Sequence, residues 1–389
     1  MKKVLILGAG IYQVPLIKRA KELGLYTIVT SVEGNYPGFK YADKCYYENT
    51  TNRERILEIA KEERIDAILT SGTDVAVTTI GYVCKELGLN GVSEESSRLV
   101  TDKSLMKDAF FRGGVRTATH KTVDSVEDAK KAAVEIGLPV MLKCVNSSGS
   151  RGVVKVTEVE EIEKAFEYAT SVTEKNYIVV EKFIEGYEIG LDGYIIDENQ
   201  SLFVPHDKIV YSNGKTNVPI GHIFPCECSQ ELYDDILEQA KKAVKALGLS
   251  NCFFNMDILV NGTEAYILEV GARVGATCIP ELVSLHYDID FYEMMLDVAL
   301  GNEIDAVGEP CQASAGQLLY SEKEGVVESI SYDEMEDVEV QFDVEIGESV
   351  SKFHTGNNRI GHMIAADSTI EGALKKLETM KTHITLEVS

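Results

Sequence analysis

No run of about eighteen uninterrupted apolar residues occurs in this 389-residue chain, so the usual signature of a membrane-crossing helix is missing. The opening MKKVLILGAGIYQVP enters a glycine turn before any cleavage-like site could appear, which points to a cytoplasmic protein. Paired C-x-x-C spacing is also lacking. The 8 cysteines are scattered, and Cys144, Cys252 and Cys278 lie among apolar or small residues, as idle thiols of a reducing compartment do. The C-x-C of Cys226 and Cys228 has no second pair, which argues against zinc. Clustered positive charge is missing as well: 38 Lys and Arg face 63 Asp and Glu, a net charge of -25 that repels nucleic acid and anionic membrane surfaces. An anionic small ligand would need local lysines or metal ions. Neither internal repeats nor a low-complexity linker is found.

What is present is an ordinary globular composition, 44% apolar, long enough for two or three domains. KVLILG at 3–8 reads as a buried strand, followed by a glycine turn and a helix with apolar residues at helical spacing. YTIVTS is the next strand, and RERILEIAKEERIDAILTSGTD a helix and then a strand ending at Thr73 and Asp74. Strands alternating with helices over residues 1–100 imply a doubly wound parallel sheet, a Rossmann-like α/β domain. Residues 116–185 read as a small α+β lobe, 186–305 as a larger α+β lobe, and 306–389 as a C-terminal strand-rich segment that ends in a helix.

The first turn has Gly8 and Gly10, but Gln13 stands where a dinucleotide fingerprint wants its third glycine. Glu33 comes slightly late for a ribose-binding acid. A structural turn or a substrate pocket explains this stretch better than a nicotinamide cofactor does. LKCVNSSGSRGVVKV is more informative: Lys143 ends a strand, and Ser147, Ser148, Gly149, Ser150, Arg151 and Gly152 form a small-residue loop. Such a loop can lay amides and hydroxyls over phosphates while the lysine supplies a point charge. No G-K-S/T leads into a helix, so it is not a Walker loop. Standing alone it would read as a flexible hairpin. Farther on, YIVVEKFIEGYEIG ends a strand in Glu181, Lys182, Phe183 and Ile184, with Glu188 beyond, a pattern able to hold a flat base and sugar hydroxyls.

CFFNMDILVNGTEAYILEVGARVGA supplies two oxygen ligands for a hard cation, Asp257 and Glu269, provided they share a face. A two-residue hairpin turn at Asn261-Gly262 would put them on opposite faces, so a metal site predicts an odd-numbered loop.

Together these stretches resemble the ATP-grasp superfamily of carboxylate-amine ligases, over nearly the whole chain. The resemblance implies a two-lobed ATP-grasp fold behind the first domain, with ATP and Mg²⁺ (or Mn²⁺) as cofactors. It assigns Lys103 and Lys143 to the nucleotide and residues 147–152 to a mobile phosphate loop. It makes Glu181 to Ile184 the adenine hinge, Glu188 the ribose ligand, and Asp257 and Glu269 the metal acids. Arg273 would steady an acyl-phosphate and, with Lys143, serve catalysis. The family usually reads E-x-N-x-R, whereas EVGAR here has Gly271 for the asparagine, which either leaves one metal underliganded, with water or Asn255 filling in, or opens room beside the acyl-phosphate for a particular substrate. ILGAGIYQVPLIKRAKELG and TDKSLMKDAFFRGGV are similar to purine-pathway ligases such as phosphoribosylglycinamide synthetase and to biotin-carboxylase-type enzymes; PIGHIFPCE is more similar to L-amino acid ligases.

The expected activity joins a small-molecule carboxylate to an amine through an acyl-phosphate. Tyr12, Gln13, Thr73, Asp74, His222 and Gly275 are the candidate substrate contacts, although His222 reads equally as a structural histidine. Neither nucleic acid nor membrane is an expected partner, and a homodimer is common among relatives. The competing classes are a nucleotide sensor without catalysis and a Rossmann-type oxidoreductase.

Overall fold

The computed structural model describes residues 1–147, 149, 151–212 and 217–389, and of Asn217 the backbone only. Ser148 and Ser150, two of the expected phosphate-loop residues, lie outside the described residues.

The chain opens with β1 (Lys3–Leu7), α1 (Val14–Glu22), β2 (Tyr26–Ser31), β3 (Lys44–Tyr47), α2 (Arg53–Glu63), β4 (Ala67–Leu69) and α3 (Val77–Leu87). The four strands pair in parallel in the order β3-β2-β1-β4. Val4 to Leu7 are fully buried, as a strand covered on both faces requires. The strand before Asp74 stops at Leu69, so Thr73 and Asp74 sit in the loop beyond its carboxyl end. Helices α4 (Glu94–Val100) and α5 (Lys103–Gly113) then lead out, capped by the side chains of Ser93 and Asp102.

The small lobe is β5 (His120–Val123), α6 (Val126–Ile136), β6 (Val140–Cys144), β7 (Val153–Val156), α7 (Ile162–Ser171) and β8 (Ile178–Lys182). Its antiparallel sheet runs β5-β8-β6-β7, and Leu142, Val156, Ile162 and Ile178 belong to a core of its own. The β6–β7 connection carries Gly149 and Gly152 at φ 67° and 69°, a left-handed backbone that favours glycine.

The large lobe has β9 (Tyr187–Ile195), β10 (Ser201–Ser212), β11 (Asn217–Phe224), α8 (Gln230–Ala246), β12 (Cys252–Asn261), β13 (Glu264–Gly271), α9 (Ile279–Tyr287) and α10 (Phe291–Leu300). The C-terminal segment follows as β14 (Ala313–Tyr320), β15 (Gly325–Ser331), β16 (Val338–Phe342), β17 (Ser349–Val350), β18 (Arg359–Asp367), α11 (Ile370–His383) and β19 (Thr385–Val388). Part of this segment extends the large lobe, giving one eight-stranded sheet in the order β13-β12-β9-β10-β11-β14-β18-β16. The remaining strands form a sheet ordered β17-β15-β19. A continuous core runs from Leu5 and Ile68 of the first sheet through Phe110 and Leu247 to Phe254 and Ile258 of the large lobe. The first domain is thereby fixed against the strands that carry the acids. Among the described residues, no helix is long and apolar enough to cross a membrane.

Close packing inside the large sheet shows at Gly193, where an added Cβ would stand 1.9 Å from the carbonyl oxygen of Leu202. Gly193→Ala is expected to cost about 2 kcal/mol or more, because the clash is with backbone that cannot give locally. Urea unfolding measures this; a variant within about 0.5 kcal/mol of the parent would contradict the described packing.

Candidate functional site

The two carboxylates expected to bind metal do share a face, by a route the sequence did not suggest. The hairpin loop is even, not odd: Asn261 pairs with Glu264 across a two-residue Gly262-Thr263 turn. An irregularity next to Asp257 then shifts the register, so that Ile258 faces Ile267 while Asp257 faces Glu269 and Asn255 faces Gly271. The extra residue on β13 is Leu268, and this bulge reverses the side-chain parity that the turn had set.

Each of these acids holds a lysine. Lys103, at the start of α5, donates to Glu269 Oε1 at 2.8 Å and to the carbonyl of Ser147 at 2.9 Å. Lys208 of β10 donates to Asp257 Oδ1 at 2.5 Å and reaches Glu188 Oε2 at 3.5 Å. Burial opposes the charge on Lys208, but Asp257 and Glu188 more than offset it, and its pKa is raised. Asp257 answers in kind: burial pushes its carboxyl up, and Lys208 brings it below the usual range.

A second cluster sits in the small lobe, where β6 and β8 pair side by side. Lys143 donates to Glu181 Oε2 at 2.9 Å, and Lys107 of α5 lies 3.6 Å from the same oxygen. Lys107 also donates to Thr117 Oγ1 at 2.5 Å. Burial drives Lys107 down to about 8 although Glu181 pulls it upward. For Glu181 the balance falls the other way: burial raises it, but the two ammonium groups hold it at about 2. Its second oxygen, Oε1, is buried with no hydrogen-bond partner among the described residues. A buried acceptor left so is costly unless a donor arrives. Next to it, the N–H groups of Lys182 and Phe183 donate to the carbonyls of Thr119 and Pro139. The Lys182 ammonium turns to the carbonyls of Gly137 and Leu138, and Lys155 lies 3.6 Å from the centre of the Phe183 ring. Ile184 and Glu188 follow on the way into β9.

Arg273 anchors the end of β13. Its Nη2 donates to Asp74 Oδ2 at 2.7 Å, and its Nη1 to Asn255 Oδ1 and the Val274 carbonyl, each at 3.2 Å. Its Nε is buried with no partner among the described residues. Asn255 also donates to Asp192 Oδ2 at 2.6 Å, so both ends of its amide are engaged away from the metal acids. Asp192 Oδ1 accepts from the N–H of Gly275 at 2.6 Å, and its other oxygen lies 3.2 Å from His206 Nε2. His222 stands behind, its Nδ1 3.2 Å from His206 Nδ1, and burial pushes its pKa well down. The structure thus places His222 as the outer, neutral link of a buried chain that fixes Gly275 and Arg273.

Gly271 has a local reason. A Cβ there would meet Asp74 Oδ1 at 2.7 Å, because the Asp74 carboxylate fills the space beside this strand. Gln13 also has a structural explanation: its amide bonds the Ser71 carbonyl, and its Oε1 accepts from Gly10 N–H at 2.9 Å and packs where a Gly8 Cβ would stand. It braces the glycine turn. Tyr12 faces a cavity shared with Gly275, and Thr73 stays beside Asp74 in the loop after β4.

Sequence reasoning misses Lys107, Lys208, Asp192 and His206. Lys107 was readable from its i+4 offset from Lys103 on one helix face. The others depend on strand order.

Two family models match: one described as the D-ala D-ala ligase C-terminus, over residues 112–287, and one as L-amino acid ligase C-terminal domain 2, over residues 317–389. Among solved structures, the chain is similar to phosphoribosylglycinamide synthetase from Anaerococcus prevotii, with 31% identity, TM-score 0.86 and 100% of both chains covered. The fold is also that of an L-amino acid ligase from Bacillus licheniformis, at TM-score 0.83 and 18% identity over 100% of this chain and 99% of that one. Among curated proteins it is similar to alanine–anticapsin ligase of Bacillus subtilis (strain 168), 29% identical over 69% of this chain. The match spans 62% of that ligase's own length.

The account of Gly271 predicts coupling. Gly271→Asn should destabilise the protein by pushing Asp74 off Arg273, and adding Asp74→Gly should recover part of the loss, with a coupling of about 1 kcal/mol. Additive effects in a denaturation cycle would show that Asp74 does not exclude the side chain.

Proposed function

We propose, for a chain that belongs to the ATP-grasp carboxylate-amine ligases, that it uses ATP to join a carboxylate to an amine. The observation that carries this reading is the pair of acids opposite one another on β12 and β13, each holding a lysine, Lys208 on Asp257 and Lys103 on Glu269, with a second lysine cluster on Glu181.

A carboxylate is a poor electrophile because no oxygen can leave. One of its oxygens attacks the γ-phosphorus of ATP, the bond to the β-phosphate oxygen breaks, and ADP departs. The amine then attacks the acyl carbon as a free base, phosphate leaves, and the nitrogen gives up a proton. Phosphoryl transfer depends on charge compensation and in-line positioning more than on covalent help from the protein. In this reading Lys143, Lys103 and Lys208 supply the positive charge, and the β6–β7 loop, with Ser147, Gly149 and Gly152, covers the phosphates. Glu181, whose Oε1 has no donor among the described residues, suits the exocyclic amine of adenine. Glu188 at the head of β9 suits the ribose.

Arg273, oriented by Asp74 and Asn255, keeps an Nε–H for the oxyanion of the activated carboxylate. Asp257 and Glu269 fit Mg²⁺, a hard cation that takes one or two carboxylates and completes its shell with phosphate oxygens and water. Bound there, it would neutralise charge on the phosphates. Asn255 is not part of this set, since its amide serves Asp192 and Arg273.

The test is ADP release over a panel of carboxylate and amine pairs. Lys143→Ala and Glu269→Gln are each expected to lower kcat/KM about a hundredfold or more, and chelation by EDTA to stop turnover until Mg²⁺ or Mn²⁺ is restored. Full activity in either variant would overturn the assignment.

A further inference from the structure

Lys107 has no part in the chemistry proposed above, yet it is the most deeply buried lysine of the site: 1% of its side chain is exposed, against 5% for Lys208, 10% for Lys103 and 14% for Lys143. Burying an ammonium group is costly unless an anion meets it. The anion here is Glu181, whose Oε2 lies 3.6 Å from Lys107 Nζ and accepts from Lys143 at 2.9 Å. His120 of β5, opposite Glu181 in the sheet, lies 3.3 Å from Asp108 Oδ1 instead.

The two lysines on Glu181 are held differently. Lys107 stands one turn beyond Lys103 on the same face of α5 and is anchored from its far side: it donates to Thr117 Oγ1 at 2.5 Å, and the Thr117 hydroxyl donates in turn to the Ile267 carbonyl at 2.6 Å. Its nitrogen is thereby tied between β13 of the large lobe and β8 of the small one. Lys143, near the end of β6 and beside the β6–β7 loop, has no second hydrogen bond of this kind among the described residues. Burial pushes the Glu181 carboxyl up, and Lys107, ahead of Lys143, brings it down to about 2. When phosphates draw Lys143 away, as the proposed chemistry requires, Lys107 is the cation that stays. Glu181 Oε1 is then a buried carboxylate oxygen without a partner among the described residues, and it can only accept.

We infer that Lys107 is a positioning residue for the nucleobase: as the fixed counter-ion of Glu181 it keeps that side chain a pure acceptor, and so selects a purine that carries a 6-amino group. The inference rests on the ligase reading above and deepens it. Lys107, closed off from solvent, acts through Glu181 and not on the nucleotide itself. Without it, a Glu181 that Lys143 has left would take up a proton or turn away, and the preference for the amino group would go with it.

Binding tests this without turnover. Titration calorimetry gives Kd, in the presence of Mg²⁺, for ADP and for the diphosphate of purine riboside, which lacks only the 6-amino group and keeps the ring nitrogens as acceptors. The wild type is expected to bind ADP on the order of ten- to a hundredfold more tightly, the effect of one hydrogen bond to a charged group. Lys107→Met, close to lysine in length but uncharged, is expected to lose about tenfold of that ratio, chiefly by weakening ADP. Lys107→Gln, which keeps a donor for Thr117, is expected to do the same and serves if the methionine variant does not fold. In a Glu181→Gln background, Lys107→Met should leave the ratio unchanged; a further shift there means that Lys107 acts by another route and overturns the inference. A wild type that binds neither nucleotide overturns the ligase reading and this inference with it, and one that binds both alike takes Glu181 out of the base site and overturns the inference. A Lys107 variant that keeps the ratio, or that lowers Tm and weakens both nucleotides equally, makes Lys107 a structural lysine and overturns the inference alone.

Discussion

A chain with a net charge of -25 can hold a polyphosphate only by gathering cations against the field of the whole molecule. That constraint organises this structure. Lys103, Lys107, Lys143 and Lys208 come from one helix and two sheets, and each is held by a carboxylate: Glu269, Glu181 or Asp257. Four buried or half-buried ammonium groups without partners would carry a desolvation cost of several kcal/mol each. Pairing keeps them charged and in place. On the proposed reading, an incoming phosphate would compete with Glu269 and Asp257 for their lysines, and a cation entering with it would compensate those two acids. A nucleotide and a metal ion, as proposed for this site, would be complementary in charge to groups that neutralise one another without them.

Geometry makes this exchange possible through backbone detail rather than through the choice of side chains. The bulge at Leu268 puts Asp257 and Glu269 on one face after an even hairpin would have separated them. Gly190, paired with Asp257 on β9, leaves room for His206, which a Cβ would approach to 2.0 Å. His206 and Asp192 then hold Gly275 and, through Asn255, Arg273. Gly271 cedes its space to Asp74, so the arginine that the family places near the acyl group is steered by the first domain. The first domain and the β12–β13 hairpin are one unit at this point, as their shared core also requires.

Much of the fold was legible because periodicity reports it directly. The apolar run from Val4 to Leu7, fully buried in the structure, announces a parallel strand, and apolar residues at helical spacing announce the helix after it. That the C-terminal strands would join the large sheet was not legible, since strand order follows from packing and not from alternation. The site divides in the same way. Lys103, Lys143, Glu181, Glu269 and Arg273 stand out as charges at or near the ends of apolar strands and helices, and Asp257 as an acid inside an apolar strand. Parity at the hairpin was misjudged because a bulge leaves no clear mark in one sequence: Leu268 reads like any other apolar strand residue. Gln13 drew attention as a failed glycine, yet it packs into the volume that the turn leaves over Gly8.

The central claim is that a carboxylate oxygen attacks the γ-phosphorus, so that an acyl-phosphate precedes the amide. Oxygen transfer tests this most directly: a carboxylate donor labelled with ¹⁸O is turned over with ATP and amine, and the released phosphate is analysed by mass. An acyl-phosphate pathway leaves one labelled oxygen in each phosphate, since the bond broken by the amine is the one between carbon and the bridging oxygen. Phosphate released at the donor's expense but free of label would contradict the account.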